Sequence, residues 1–243
     1  MSHIKIYAPI RKRMILVFDV ETTGLLPKKI RAKASGQASG QVSGQVSGQV
    51  SESEIPIESY PYIIQLSFVL YDIIESRAVY TYDSYIRLPE HIEISEKVTE
   101  LTGINKHLCN EKGKSIIEVL DKFYEAYMLA EVIVAHNIEF DEKMISIELQ
   151  RNRQVILDKI PYCFTIFSKI YEKLKGVQRY CTMKNGTELC AITVDSRTTK
   201  KWPRLSELHK KLFDEVPDGL HNSMVDVNAC LKCYLKMRHG INC

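Results

Sequence analysis

The run Met14-Ile15-Leu16-Val17-Phe18 constrains this chain most, because it ends in Asp19-Val20-Glu21-Thr22-Thr23-Gly24-Leu25. Five consecutive apolar residues, several of them β-branched or aromatic, predict a buried strand. In an open α/β sheet the carboxyl end of such a strand faces the ligand crevice. Side chains at i and i+2 of a strand share a face, so Asp19 and Glu21 project together. Two carboxylates held that close repel unless a cation lies between them. Hard oxygen donors suit Mg²⁺ or Mn²⁺.

Two later segments carry acids in comparable settings. Val132-Ile133-Val134-Ala135 predicts a short strand and is followed by His136-Asn137-Ile138-Glu139-Phe140-Asp141. Asn137 suits a helix N-cap, and Phe140, Met144 and Ile147 recur at helical spacing. Asp141 then falls in a first helical turn, where it can look back into the crevice or simply complement the helix dipole. His136 reads equally as a hydrogen-bonded core or loop residue and receives no chemistry.

The third segment is Gly219-Leu220-His221-Asn222-Ser223-Met224-Val225-Asp226. Ser223 reads as an N-cap with Asp226 as its capping-box partner. His221 precedes that helix on a loop containing Pro217-Asp218-Gly219, where a general base beside a metal ligand would sit.

Asp-x-Glu, His-Asn-x-x-Phe-Asp and His-x-x-x-x-Asp, in this order, resemble the three exonuclease motifs of the DEDDh family. That family includes the proofreading epsilon subunit of DNA polymerase III, ribonuclease T and the three-prime repair exonucleases. Val98 to Ile104 is similar to the family's segment lining the terminal-nucleotide pocket. Tyr180-Cys181-Thr182-Met183 resembles a strand end of the family, and Lys201 to Leu208 its helix approach before the third motif.

The resemblance implies a ribonuclease H-like α/β fold and hydrolysis of phosphodiester bonds at the 3′ end of DNA, releasing nucleoside 5′-monophosphates. An exoribonuclease trimming RNA ends is the alternative, and a non-catalytic module binding nucleic acid or a polymerase is a third reading. The implied metal ligands are Asp19, Glu21, Asp141 and Asp226, around two divalent cations about 4 Å apart. His221 is the implied general base, since an ordinary histidine titrates near 6.5. Thr22 and Glu21 would recognise the terminal 3′-OH, Leu25 would pack on the last base, and Leu101 and Ile104 would wedge the terminal nucleotides. Expected partners are single-stranded 3′ ends of DNA, with RNA as a second possibility, and a polymerase or a second copy of the chain.

The wider sequence fits one exonuclease domain over residues 1–243, interrupted at about 30–58. There Ser-Gly-Gln-Ala is followed by three Ser-Gly-Gln-Val units ending at Val50, a composition too polar to form a core and read as a flexible loop. Deleting residues 35–51 is expected to leave nuclease activity unchanged. The composition is ordinary for a globular chain, with 45% hydrophobic and 26% charged residues. No apolar run reaches membrane-spanning length, and the basic N-terminus lacks the pattern of a secretory signal. With an odd cysteine count of seven, reduced thiols and an intracellular location are expected. Cys230-x-x-Cys233, with His239 and Cys243, invites a zinc reading, but i and i+3 inside a helix favour core packing.

A net charge of +3 does not by itself indicate nucleic-acid binding. Clusters at Lys28, Lys29, Arg31 and Lys33, and at Lys200, Lys201 and Arg204, are candidate phosphate contacts. Five strands are expected, at Met14–Val20, Tyr62–Tyr71, Arg77–Ile86, Val132–Ala135 and Val177–Met183, in a mixed sheet flanked by helices. A capping box at Ser115 to Glu118 predicts a helix to about Ala130, and Leu157–Lys175 reads as one helix. Asn185-Gly186 could instead turn a hairpin toward Val194.

Overall fold

The computed structural model describes residues 13–27, 55–193 and 199–242. The Ser-Gly-Gln repeats, the basic cluster at residues 28–33, Val194 and Cys243 lie outside them.

Five strands form one sheet: β1 (Met14–Thr22), β2 (Ile63–Asp72), β3 (Arg77–Tyr85), β4 (Val132–Ala135) and β5 (Gln178–Cys181), in the order β3-β2-β1-β4-β5. β1, β2 and β3 pair antiparallel, whereas β4 lies parallel to β1 and β5 parallel to β4. The mixed sheet, flanked by helices, is the ribonuclease H-like α/β fold expected from the sequence. The helices are α1 (Glu96–Thr102), α2 (Lys106–Lys112), α3 (Ile116–Leu129), α4 (Ile138–Arg151), α5 (Arg153–Lys159), α6 (Lys169–Lys175), α7 (Thr182–Cys190), α8 (Leu205–Phe213) and α9 (Ser223–His239). No helix among the described residues is long and apolar enough to cross a membrane.

The alternation of β1 divides the core in two. Leu16, Phe18 and Val20 pack with Phe123 and Tyr127 of α3 and Met144 and Ile145 of α4. Ile15 and Val17 face the other way, onto Val227, Cys230, Leu231 and Tyr234 of α9. Asp19 and Glu21 continue the Ile15–Val17 side, so strand geometry aims both carboxylates toward the N-terminus of α9.

Three local expectations need correction. Leu157–Lys175 is not one helix: α5 ends at Lys159, a 3₁₀ turn spans Pro161–Thr165, and α6 starts at Lys169. Pro161 has no N–H for a helical bond, and Phe167 adopts φ 58°. The Phe167 N–H donates to the Tyr127 hydroxyl at 3.0 Å, and that hydroxyl donates to buried Glu172, also at 3.0 Å. This pairing holds the break in place.

Asn185-Gly186 lies inside α7 and does not turn a hairpin. A Cβ at position 186 would come within 2.8 Å of Leu208 Cδ1, so the missing side chain admits α8. Ser115 caps α3 through the Ile117 N–H, but Glu118 pairs with Lys114 at 3.0 Å instead of closing a capping box. Asn137 takes the N-cap position of α4 as expected, but not by a side-chain bond: its carbonyl accepts the Phe140 N–H at 2.8 Å and it supplies a left-handed backbone at φ 72°, a conformation asparagine tolerates well.

Candidate active site

β1 and β4 end side by side, and α4, which follows β4, and α9, the last helix, approach them from opposite faces. On the α9 side, Asp19, Glu21 and Asp226 each place a carboxylate oxygen within 4.8 Å of the others. The N-cap of α9 is Asn222, one residue earlier than expected; its side chain accepts from the N–H groups of Met224 and Val225. Ser223 is buried and fastens the helix to the sheet. Its hydroxyl donates to the Asp19 carbonyl at 2.7 Å, and its N–H donates to Gln65 Oε1 at 3.2 Å.

Gln65 and Ser67 sit opposite Glu21 and Asp19 in the β1–β2 register. Both donate to Asp83 Oδ1, at 2.8 and 2.7 Å. Sequence reasoning missed this layer. Its signal was present as two polar residues inside an otherwise apolar strand, where burial demands hydrogen-bond partners.

Asp141 approaches from the other face. It is buried, and its Oδ1 accepts the Val20 N–H at 3.1 Å. That bond lies between Asp19 and Glu21 in sequence, so Asp141 stands behind the trio and is not part of it. His221 lies in the loop before α9 with φ 72°. Its N–H donates to Asp226 Oδ2 at 3.4 Å, and the residue is exposed.

The electrostatics follow from this crowding. Burial, then the charge of Asp226, pushes the Asp19 carboxyl up to about 8. Burial, then Asp19 and Asp226, takes Glu21 to about 9. Burial raises Asp226 to about 6, opposed by the His221 N–H and charge. Asp141 moves upward as well, through burial and Asp19, against the Val20 N–H. Such a cluster binds either protons or a cation. Asp226 Oδ1 is buried without a hydrogen-bond partner, a group that costs free energy unless something coordinates it. Hard oxygen donors plus that orphan atom fit a divalent cation.

The binding residues fall into two groups. Thr22 ends β1, its hydroxyl donating to the Gly24 carbonyl at 2.6 Å. Leu25 is 86% exposed and Leu101 53% exposed. Ile104 is 1% exposed, packed with Ile64, Leu88 and Cys109. It supports the surface beneath α1 and is not available to wedge a nucleotide.

Beside Leu25 runs a groove of about 360 Å³ lined by Thr23, Tyr60, Tyr62, His91 and Ile92 among others. Its wall is fixed: Thr23 exchanges hydrogen bonds with Tyr62 at 2.9 and 3.0 Å. The Arg151 guanidinium donates to the carbonyls of Tyr60 and Pro61 at 2.9 and 3.1 Å and stacks 3.6 Å over the Tyr62 ring. His136 is structural: its ring bridges Thr182 and the Pro203 carbonyl, and burial lowers it to about 4.

A family model described as Exonuclease matches residues 16–234. No curated protein sequence matches the chain. Among solved structures, Escherichia coli Exonuclease I in complex with a dA16 oligonucleotide is similar, at TM-score 0.55 and 14% identity over 94% of this chain and 42% of that one. Exonuclease I without ligand gives TM-score 0.59 and 14% identity over 95% and 43%. A moderately thermophilic Exonuclease I from Methylocaldum szegediense gives 0.56 and 15% over 94% and 41%. The chain thus spans about two fifths of the length of these structures, and at such identities the likeness speaks for the fold alone. The family match, by contrast, runs from within β1 to within α9 and takes in every segment that faces the carboxylates. The chain belongs to the DEDDh-type 3′–5′ exonuclease family.

Proposed function

We propose that this protein is a metal-dependent 3′–5′ exonuclease that removes nucleoside 5′-monophosphates from single-stranded 3′ ends of DNA. The convergence of Asp19, Glu21 and Asp226 within 4.8 Å carries the reading. Two divalent cations, Mg²⁺ or Mn²⁺, would supply an activated water and charge stabilisation at the departing oxygen. Asp19, Glu21 and Asp226 would hold them, with Asp141 completing the shell through water.

The residues divide the remaining work. Asp19 and Glu21 come from a strand and Asp226 from a helix tied to that strand by Ser223, so the donor oxygens are held before substrate arrives. His221 accepts a proton from water as its oxygen forms a bond to phosphorus. The P–O3′ bond breaks, and the departing 3′ oxygen is protonated from solvent. Glu21 and the Thr22 backbone meet the terminal 3′-OH, while exposed Leu25 and Leu101 pack against the terminal nucleotide. DNA is the substrate to test first, with RNA as the alternative that the same carboxylate site would also serve.

Matched DNA and RNA oligonucleotides labelled at the 5′ end test substrate and direction together. The expected result is a Mg²⁺-dependent ladder shortening from the 3′ end, faster on DNA. Faster shortening of RNA would make the chain an exoribonuclease, and internal cuts before end trimming would refute the exonuclease reading. Asp226→Asn should fold and fail to cleave.

A further inference from the structure

The chain contains one tryptophan, and it lies on the surface at the active-site end. Trp202 is 58% exposed, although tryptophan normally buries most of its large area. The next residue is fixed. Pro203 is buried, and its carbonyl lies 3.1 Å from His136 Nε2. A carbonyl only accepts, so Nε2 carries the proton and Nδ1 accepts from the Thr182 hydroxyl at 3.0 Å.

His136 follows β4, whose Val134 pairs with Val17 of β1. Thr182 follows β5 and lies 3.5 Å from Cys230, one turn beyond Asp226 on α9. On its other side the segment is held by the Lys201 N–H, which donates to the Ile192 carbonyl at 2.7 Å. Trp202 therefore stands on a braced backbone on the β4–β5 side of the carboxylates. The Leu25 groove lies on the opposite, β2 side.

The charges nearby narrow what this surface takes. Lys200 pairs with Glu188 and Lys201 with Glu207, so two of the three expected phosphate contacts are already neutralised. Arg204 is exposed and makes no salt bridge among the described residues; its charge is felt by Glu207, whose carboxylate accepts the Arg204 backbone N–H at 2.7 Å. A lone aromatic face with one available guanidinium is too small for an apolar protein contact, but it suffices for one base and its phosphate.

We propose that Trp202 is a stacking platform for an unpaired base of the strand upstream of the scissile bond, with Arg204 beside the adjoining phosphate. This rests on the exonuclease reading above.

Because the tryptophan is unique, its own fluorescence reports the contact. The probe is an oligodeoxythymidylate of about twelve nucleotides, bound to the 243-residue chain with Ca²⁺ in place of Mg²⁺ and followed independently by anisotropy. Binding should quench Trp202 strongly, while an abasic strand of equal length should leave it bright. Trp202→Ala should weaken affinity about tenfold and raise KM far more than it lowers kcat. Trp202→Phe should recover most of the loss, and a dinucleotide should be little affected by either change.

Unchanged emission at saturation, equal quenching by the abasic strand, or unaltered affinity of Trp202→Ala would each overturn the platform. If wild-type protein shortens the oligonucleotide in Mg²⁺ but Trp202 stays silent, only the platform fails. If wild type neither binds nor cleaves, the exonuclease reading fails and the platform with it.

Discussion

Asp226→Asn should stabilise the metal-free protein at high pH while abolishing catalysis. The three carboxylates lie within 4.8 Å of one another. At an effective dielectric of about 20, each ionised pair at that distance costs roughly 3.5 kcal/mol. Burial first, and then this repulsion, pushes Asp19 up to about 8 and Glu21 up to about 9, so without a cation the cluster takes up protons. Carboxyl groups whose folded pKa exceeds the unfolded value of about 4 bind more protons in the folded state. Their stabilisation is complete below pH 4 and is lost as pH rises through 8 to 9.

At pH 5 Asp226, with a pKa of about 6, is itself mostly neutral, so asparagine changes little. At pH 9 it is charged, and removing that charge relieves repulsion with both neighbours. Solvent at the partly exposed edge of the site reduces the gain to about 2 kcal/mol, or about 4–8 °C in Tm for a chain of this size. Asparagine also keeps an oxygen for the His221 N–H. Saturating Mg²⁺ should reverse the order, because about 2.7 kcal/mol accrues to wild type at a hundredfold excess over Kd and little to the variant. Thermal unfolding followed by circular dichroism at pH 5 and pH 9, with and without Mg²⁺, measures all four cases. Equal destabilisation of the metal-free variant at both pH values would refute the reasoning.

His221→Ala should lower kcat by about 10²–10⁴ with little change in substrate affinity, measured by steady-state kinetics and anisotropy; a pure binding defect would remove His221 from the base role. Asp141→Asn keeps an acceptor for the Val20 N–H, so circular dichroism should show a folded protein whose Mg²⁺-dependent cleavage is lost. Replacing Mg²⁺ by Ca²⁺, which is larger and more loosely coordinated, should permit binding in a gel-shift assay and stall product release. Gly113→Ala places a Cβ 2.1 Å from the Cys109 carbonyl oxygen and 2.6 Å from the Arg87 nitrogen. Backbone cannot yield as a side chain does, so chemical denaturation should show a loss of about 3 kcal/mol.

The strands and the site acids were legible because both rest on short-range rules. Alternation in β1 predicts that Asp19 and Glu21 share a face, and the structure has them on the α9 side. What sequence did not reveal depends on contacts remote along the chain. Gly186 reads as a turn residue until Leu208 is placed against it. Ile104 reads as a surface wedge until Ile64 and Leu88 close over it. Ser223 looked like a cap, yet Asn222 takes that role and frees Ser223 to bind Asp19 and Gln65. Pro161 is different: it lies inside Leu157–Lys175, and its missing N–H should have ended the helix there.

The most direct test soaks crystals of the protein with Mn²⁺ and a nucleoside 5′-monophosphate and locates manganese by anomalous scattering. The account predicts a pair of peaks bounded by Asp19, Glu21 and Asp226, with the phosphate between them and His221 turned toward it. Manganese bound elsewhere, or a nucleotide seated away from these three carboxylates, would contradict it.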